Sequence, residues 1–285
     1  MNRPYGNVVL VTGASSGIGK SIAQYLSHLG YRVYGTSRKP QTADGSEGAA
    51  GGTNESTMAN RVHMLQMDVC NEESVKAAIE KIIALEGEIG IVINNAGMGI
   101  AGSVEDTSSE EAFLQFDTNF FGVHRVIRQV LPHMRMAGRG LIVNISSVGA
   151  LFPIPYQSMY VAAKAAVEGM SGSLRNELKP FGIKVALIEP GDTKTGFTGS
   201  RVFAAAGKED SAYSEYSKRS VAVMERDEAN GPDPIVVARA AEKIIKRKNP
   251  PVCVVIGIQY KLLVFLKRLI PKALESFIVH QMYKG

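Results

Sequence analysis

Short apolar, largely β-branched runs recur along the chain and alternate with stretches of helical period. They are Val8-Val9-Leu10-Val11, Arg32-Val33-Tyr34, Val62-His63-Met64-Leu65, Ile91-Val92-Ile93, Leu141-Ile142-Val143, Lys184 to Ile188 and Val252 to Ile256. Strands apolar along their whole length have no face for water, so helices must cover them above and below, as in a parallel sheet. The expected fold is α/β: a single-domain, doubly wound parallel sheet with helices on both faces, spanning 1–259. Asn71 is the expected N-cap of a helix whose opening Glu72 and Glu73 suit a positive helix end. Pro232-Asp233-Pro234 starts another helix, and long helices are expected around 110–136 and 159–181.

Three segments break the alternation. Residues 41–60 are rich in Gly, Ala, Ser and Thr and have no apolar period where a crossover helix would stand, which predicts a mobile surface insertion. Residues 191–231 follow a strand end and mix Phe197, Phe203, Tyr213, Tyr216 and Met224 with charges. Loops at the carboxyl ends of parallel strands are where such sheets bind ligands, so this segment is the expected substrate lid. Residues 260–285 carry apolar positions at helical spacing, from Leu262 to Ile278, interrupted by Pro271 and flanked by Lys261, Lys267, Arg268 and Lys272. This basic amphipathic extension has three readings: a cover for the substrate pocket, a contact with another subunit, or peripheral contact with an anionic membrane.

Composition narrows the possibilities. The chain has 285 residues and 45% hydrophobic content, enough for a large core. Its net charge of +5 is mild and basic residues interleave with acidic ones over most of the length, so no nucleic-acid partner is expected. Cys70 and Cys253 stand beside strand-like runs with no CxxC pair or His cluster, which predicts buried free thiols and no metal site. No run reaches the roughly 18 apolar residues of a membrane span. With no leader-like stretch ahead of the first strand, the expected location is cytoplasmic, peripheral to a membrane only if the extension binds one.

Two clusters carry chemistry. Thr12-Gly13-Ala14-Ser15-Ser16-Gly17-Ile18-Gly19 follows the first strand and opens a helix. Glycines permit a tight turn and close backbone approach to a pyrophosphate, while free N–H groups and the helix dipole favour its charge, as in Rossmann folds. The second strand ends Thr36-Ser37-Arg38, without the carboxylate that usually holds a ribose 2′-hydroxyl. A guanidinium there suits a 2′-phosphate, with Lys39 able to share it, so NADP(H) is the expected cofactor. In the second cluster Tyr160 and Lys164 lie four residues apart, on one helix face, and Ser147 lies just after the run Leu141 to Ile145. The ammonium is expected to pull the phenol below its ordinary pKa of about 10, so that it exchanges protons near neutrality.

Together these motifs resemble the short-chain dehydrogenase/reductase family from Asn7 to about Ile256, with Asp68-Val69, Asn94-Asn95-Ala96-Gly97, Asn119, and Pro190-Gly191 followed by Thr193 and Thr195 in matching order. Ser147 precedes Tyr160 by thirteen residues, as in the family's active site. The resemblance implies that Asp68 and Val69 hold adenine, that Asn95, Ala96 and Gly97 close the adenosine side, and that Thr193 and Thr195 fix the nicotinamide carboxamide after the Pro190-Gly191 turn. It also implies that Asn119 bends its helix and holds a water near Lys164. Ser147 would hydrogen-bond the substrate oxygen, Tyr160 would act as general acid or base, and Lys164 would serve both Tyr160 and the nicotinamide ribose. Ser146, on the alternate side of the strand, should face away.

The substrate wall is expected from Met98, Gly99, Val148, Gly149, Leu151, Pro153, Tyr156, Phe197 and Phe203. It is largely apolar, which selects a hydrophobic ketone or secondary alcohol. The run Ser147 to Leu151 and the long tail look like the branch acting on steroids and retinoids. Reduction of a 3-oxoacyl thioester is the alternative activity. A protein that senses NADP without turnover and a lyase or epimerase on the same fold are readings from other classes. The intact Asn119, Ser147, Tyr160 and Lys164 set disfavours the sensor, and too little chain remains for the larger substrate domain of the lyase. The family's habit of pairing through its long central helices implies a homodimer or homotetramer.

Overall fold

A computed structural model of the protein describes residues 3–39, 61–207 and 210–283. The 41–60 insertion therefore lies outside the described residues. Seven strands form one parallel sheet in the order β3-β2-β1-β4-β6-β7-β9. They are β1 (Val8–Thr12), β2 (Arg32–Ser37), β3 (His63–Gln66), β4 (Ile91–Asn94), β6 (Gly140–Ile145), β7 (Ile183–Glu189) and β9 (Cys253–Val255). Each expected apolar run holds one of them, with ends shifted by up to three residues. A small parallel pair that the pattern did not predict, β5 (Ile100–Ala101) and β8 (Val202–Phe203), stands apart from the main sheet.

Side chains alternate across each strand, which splits the core in two. Val8 and Leu10 face one layer with α2 (Glu72–Glu86), α4 (Gly122–Met136) and α5 (Ser158–Glu177). Val9 and Val11 face the other with α1 (Gly17–His28) and α7 (Ile235–Ile245). Asn71 caps α2 by accepting from the Ser74 N–H at 2.8 Å, and Gly87 ends that helix with φ +76°. The chain order reverses between β1 and β4, so the crevice at their carboxyl ends is the ligand position such topologies offer.

The expected helix at 110–136 is instead three pieces: α3 (Ser109–Phe116), a π-helical turn over Asp117–Phe121, and α4. Asn119 lies in that turn, fully buried, and explains it. Its Oδ1 accepts from the Met98 N–H at 2.8 Å and its Nδ2 donates to the Met98 carbonyl at 2.9 Å, so one side chain serves the backbone after β4. Single π turns of this kind often mark functional positions in helices. Residues 191–231 contain α6 (Ser214–Ala229), and the C-terminal extension forms α8 (Ile258–Lys267) and α9 (Lys272–Tyr283), separated at Pro271.

Candidate active site

The glycine turn is held from below by Asn95. Its Nδ2 donates to the carbonyls of Thr12 and Gly13 at 3.0 and 3.1 Å, while Thr12 Oγ1 accepts from the N–H groups of Asn95 and Ala96. Gly13 has φ +67°, and a Cβ there would stand 2.8 Å from the Ala96 Cα, so the close approach of the two loops requires glycine. Gly17, at φ +53°, opens α1. Gly19 serves packing: a Cβ would meet the Gly13 carbonyl oxygen at 2.3 Å. The arrangement leaves the α1 amino terminus open toward a cavity of about 1800 Å³. Ser15, Ser16, Gly17 and Ile18 line it, as do Ser37, Arg38, Lys39, Asp68, Val69, Asn95, Ala96 and Gly97. Arg38 is exposed at the end of β2. These residues fit a dinucleotide: backbone donors at a helix end for the pyrophosphate, a cation at the second strand, and apolar Val69 beside Asp68.

The same cavity reaches Ser147, Tyr160 and Lys164. Ser147 ends the segment after β6, accepting from the Gly149 N–H at 3.0 Å, and its hydroxyl hydrogen-bonds the Tyr160 phenol. Lys164, one turn along α5, is 6% exposed and donates to the Ile145 carbonyl at 2.9 Å; its ammonium is 5.9 Å from the Tyr160 ring centre. Pro190, Gly191, Thr193 and Thr195 complete the wall after β7. Asn119 and Gly19 do not line the cavity; they hold the loops that do.

One expectation about Tyr160 is corrected. Burial pushes the phenol above its ordinary pKa, with the Ser147 hydrogen bond acting in the opposite direction, and burial brings Lys164 down to about 8. Loss of hydration disfavours both charged forms, so the two groups approach one another from an undissociated phenol and a weakened ammonium rather than through a phenolate.

Behind Lys164 is an acid network that sequence reasoning missed. Glu168, one turn further along α5, accepts from Ser146 Oγ at 2.8 Å, which turns that hydroxyl toward α5, although Ser146 also lines the cavity. Glu168 and Glu189 share a hydrogen bond, and Cys253 donates to Glu189 at 2.6 Å. Burial raises Glu168 to about 7 and raises Glu189 and Cys253 as well. The i, i+4 spacing of Lys164 and Glu168 was the available signal. Because the Glu168 charge raises the Lys164 pKa, Glu168→Gln is expected to leave burial unopposed. Lys164 then loses its proton below pH 8, and the basic limb of the kcat/KM profile moves to lower pH. Superimposable profiles for the two proteins would refute the coupling.

The substrate wall differs in part from expectation. Met98, Val148, Gly149 and Phe197 line the cavity, with the Phe197 ring 6.0 Å from that of Tyr160 and packed on Gly99. Leu151 and Tyr156 do not. Val148–Ala150 forms a single 3-10 turn that ends at Leu151 and leaves Phe152 and Ile154 to face inward. Tyr156 has φ +60°, a strained left-handed backbone for a bulky residue, and its ring lies near Tyr216 and Arg219 of α6. Pro153 also lies outside the lining, and Phe203 is exposed in β8. The lining adds Gln157 and the C-terminal helices, through Leu263, Leu266, Ile270, Ile278, Val279 and Met282. The Tyr260 ring packs on Gly191 and its hydroxyl donates to Asp192, which closes the tail onto the turn after β7. Of the three readings of the extension, a cover for the pocket is therefore seen.

A profile of the short chain dehydrogenase family matches residues 7–204. The chain is 46% identical over 244 residues to a 3-ketodihydrosphingosine reductase of Bacteroides thetaiotaomicron, which covers 86% of this chain and 85% of that protein. It is 34% identical over 272 residues to bovine (Bos taurus) retinol dehydrogenase 8, covering 92% and 85%. A short-chain dehydrogenase structure from Streptomyces avermitilis superimposes with a TM-score of 0.79 at 31% identity, over 97% of this chain and 99% of that one. The protein belongs to the short-chain dehydrogenase/reductase family and is an oxidoreductase that uses a nicotinamide cofactor.

Proposed function

We propose that the protein is an NADP(H)-dependent reductase that converts a long, hydrophobic ketone to its secondary alcohol. The observation that supports this reading is a single cavity lined by Ser147, Tyr160 and Lys164, by the glycine turn and Arg38, and by apolar side chains of α8 and α9. Gly13, Ser15, Ser16, Gly17 and Ile18 would hold the pyrophosphate, Arg38 and Ser37 a 2′-phosphate, Asp68 and Val69 the adenine, and Thr193 and Thr195 the carboxamide. A bound dihydronicotinamide supplies the hydride. Ser147 holds the substrate oxygen, Tyr160 delivers its phenolic proton to that oxygen, and Lys164 stabilises the phenolate left behind and takes part in its reprotonation.

The named substrate of the Bacteroides relative is a keto lipid, which favours a linear chain along the α8–α9 wall. The similarity to retinol dehydrogenase 8 favours the second reading, a steroid- or retinoid-like substrate. The test is NADPH oxidation across a panel of long-chain ketones, steroids, retinoids and 3-oxoacyl thioesters. Turnover of long-chain ketones at the highest kcat/KM is expected; turnover confined to acyl thioesters would replace the reading with the alternative activity.

The outer side of the tail suits contact with an anionic membrane, where such a substrate is concentrated. Leu262, Phe265, Leu269 and Phe277 are exposed beside Lys261 and Lys272. No described helix is long and apolar enough to cross a membrane. The protein is expected to float with anionic liposomes, and Leu262→Glu with Phe265→Glu to abolish flotation; equal behaviour of both proteins would remove the membrane from the account. Self-association is proposed on the opposite helices, where Phe113, Leu114 and Phe121 are exposed along α3 and the π turn.

A further inference from the structure

Three parts of the molecule meet at the turn after β7. Its Pro190 carbonyl accepts from the Val148 N–H at 2.9 Å, which ties it to the loop that begins at Ser147. At its far end Thr195 packs on Gly17, the first residue of α1, where an added Cβ would lie 3.4 Å from the threonine Cβ. Between these two points the C-terminal extension reaches the turn through Tyr260. The Tyr260 ring lies so close over Gly191 that a Cβ there would collide with the ring edge, and the hydroxyl donates to the Asp192 carboxyl. Gly231, at the end of the lid segment, backs the same residues: a Cβ on it would stand 2.7 Å from the Asp192 carbonyl and 2.8 Å from the Thr193 nitrogen.

Elsewhere the extension is thinly packed. No side chain of α8 is buried, and in α9 only Glu275 and Val279 are. Lys267 pairs with Glu275 at 2.7 Å, which holds the two helices to each other, and its ammonium stands 4.9 Å from the ring centre of Phe152 in the cavity wall. Segments with so little buried apolar contact open locally far more easily than the core does. Gly257, at φ +95°, turns the chain into α8, and a Cβ on it would meet Tyr260 Cδ2 at 2.8 Å. Two glycines, Gly191 and Gly257, thus leave the room that one ring fills.

We infer that Tyr260 is a positioning residue for the cofactor: it locks the turn after β7 in the form that holds the nicotinamide end, so that docking of α8 and α9 over the cavity and binding of that end favour one another. This rests on the assignment of Thr193 and Thr195 to the carboxamide. The Thr193 hydroxyl donates to the Gly191 carbonyl at 3.0 Å, so a displacement of Gly191 moves Thr193 with it. Coupling between two sites is reciprocal: the factor by which the docked tail tightens the cofactor is the factor by which the cofactor tightens the tail. Arg38, Asp68 and Val69 follow β2 and β3 instead, so the adenosine end is independent of Tyr260.

Two ligands separate the ends of the cofactor. NADPH has both, whereas adenosine 2′,5′-bisphosphate has the adenosine end and no nicotinamide. Trypsin reports on the tail, since Lys261 and Arg268 are exposed in and just after α8 and cleavage tracks the population of the open form. Saturating NADPH is expected to slow cleavage at these two residues by about tenfold or more, and the bisphosphate to leave it within about twofold of the free protein. Reciprocally, calorimetry is expected to show Tyr260→Ala weakening NADPH by about tenfold and the bisphosphate by less than about twofold. Tyr260→Phe keeps the ring and loses only the bond to Asp192. It serves where the alanine variant fails to melt like wild type, with an expected NADPH loss of about fivefold. A merely structural role would weaken both ligands alike or neither, and either result overturns the inference, as does tail cleavage unaffected by bound NADPH. Those outcomes leave the NADP(H) reading standing, whereas failure of NADPH to bind wild type overturns both.

Discussion

Tyr160→Phe is expected to lower turnover by about 10²–10⁴-fold while NADPH binding stays within a few-fold of wild type. The variant removes one oxygen. The ring still fills its place between Phe197 and the 3-10 turn, and the Lys164 contact to the Ile145 carbonyl does not depend on that oxygen. What is lost is the proton donor hydrogen-bonded to Ser147. Since burial holds the phenol in its protonated form, the donor is available throughout the neutral range, and its removal should act on kcat across that range rather than shift a titration. Single-turnover kinetics with separate measurement of NADPH binding checks this. Turnover near wild type would show that the proton reaches the product by another route.

Arg38→Asp is expected to move cofactor preference from NADPH toward NADH by about 10²-fold or more in the ratio of kcat/KM values. Arg38 is exposed at the end of β2, with Lys39 beside it and both in the cavity lining. A charge-assisted hydrogen bond is worth roughly 1.5–3 kcal/mol, and each 1.4 kcal/mol is about tenfold. Aspartate adds repulsion toward a 2′-phosphate and supplies an acceptor for a 2′-hydroxyl, so the two effects push the same way. The change lies outside the sheet and should leave the melting temperature nearly unchanged. Cofactor selectivity equal to wild type would remove Arg38 from the site.

The parts of this fold that depend on chain-local physics were legible in the sequence. Strands buried on both faces have no polar alternation, so β1, β4 and β6 stand out as apolar runs. The glycine turn announces itself because Gly13 and Gly17 occupy backbone that other residues avoid. Tyr160 and Lys164 share a helix face by spacing alone. What the sequence concealed depends on contacts across the chain. Glu189 and Cys253 become partners of Glu168 only when β7, β9 and α5 pack together. Arg201 looks like any surface arginine until Glu228 of α6 packs against it. The error about the Tyr160 phenol has the same origin: helix spacing shows the nearby cation and hides the burial that outweighs it. Leu151 and Tyr156 were misplaced because one 3-10 turn and one left-handed residue reorient the loop, and neither has a clear local signature.

The most direct measurement of the central claim is transfer of deuterium from NADPH dideuterated at the nicotinamide C4 to a long-chain ketone, followed by mass analysis of the alcohol. Convergence of Ser147, Tyr160 and Lys164 on one carbonyl predicts deuterium on the carbinol carbon with wild type and its loss, by orders of magnitude in rate, with Tyr160→Phe. An alcohol formed without deuterium, or label transferred equally fast by both proteins, would contradict it.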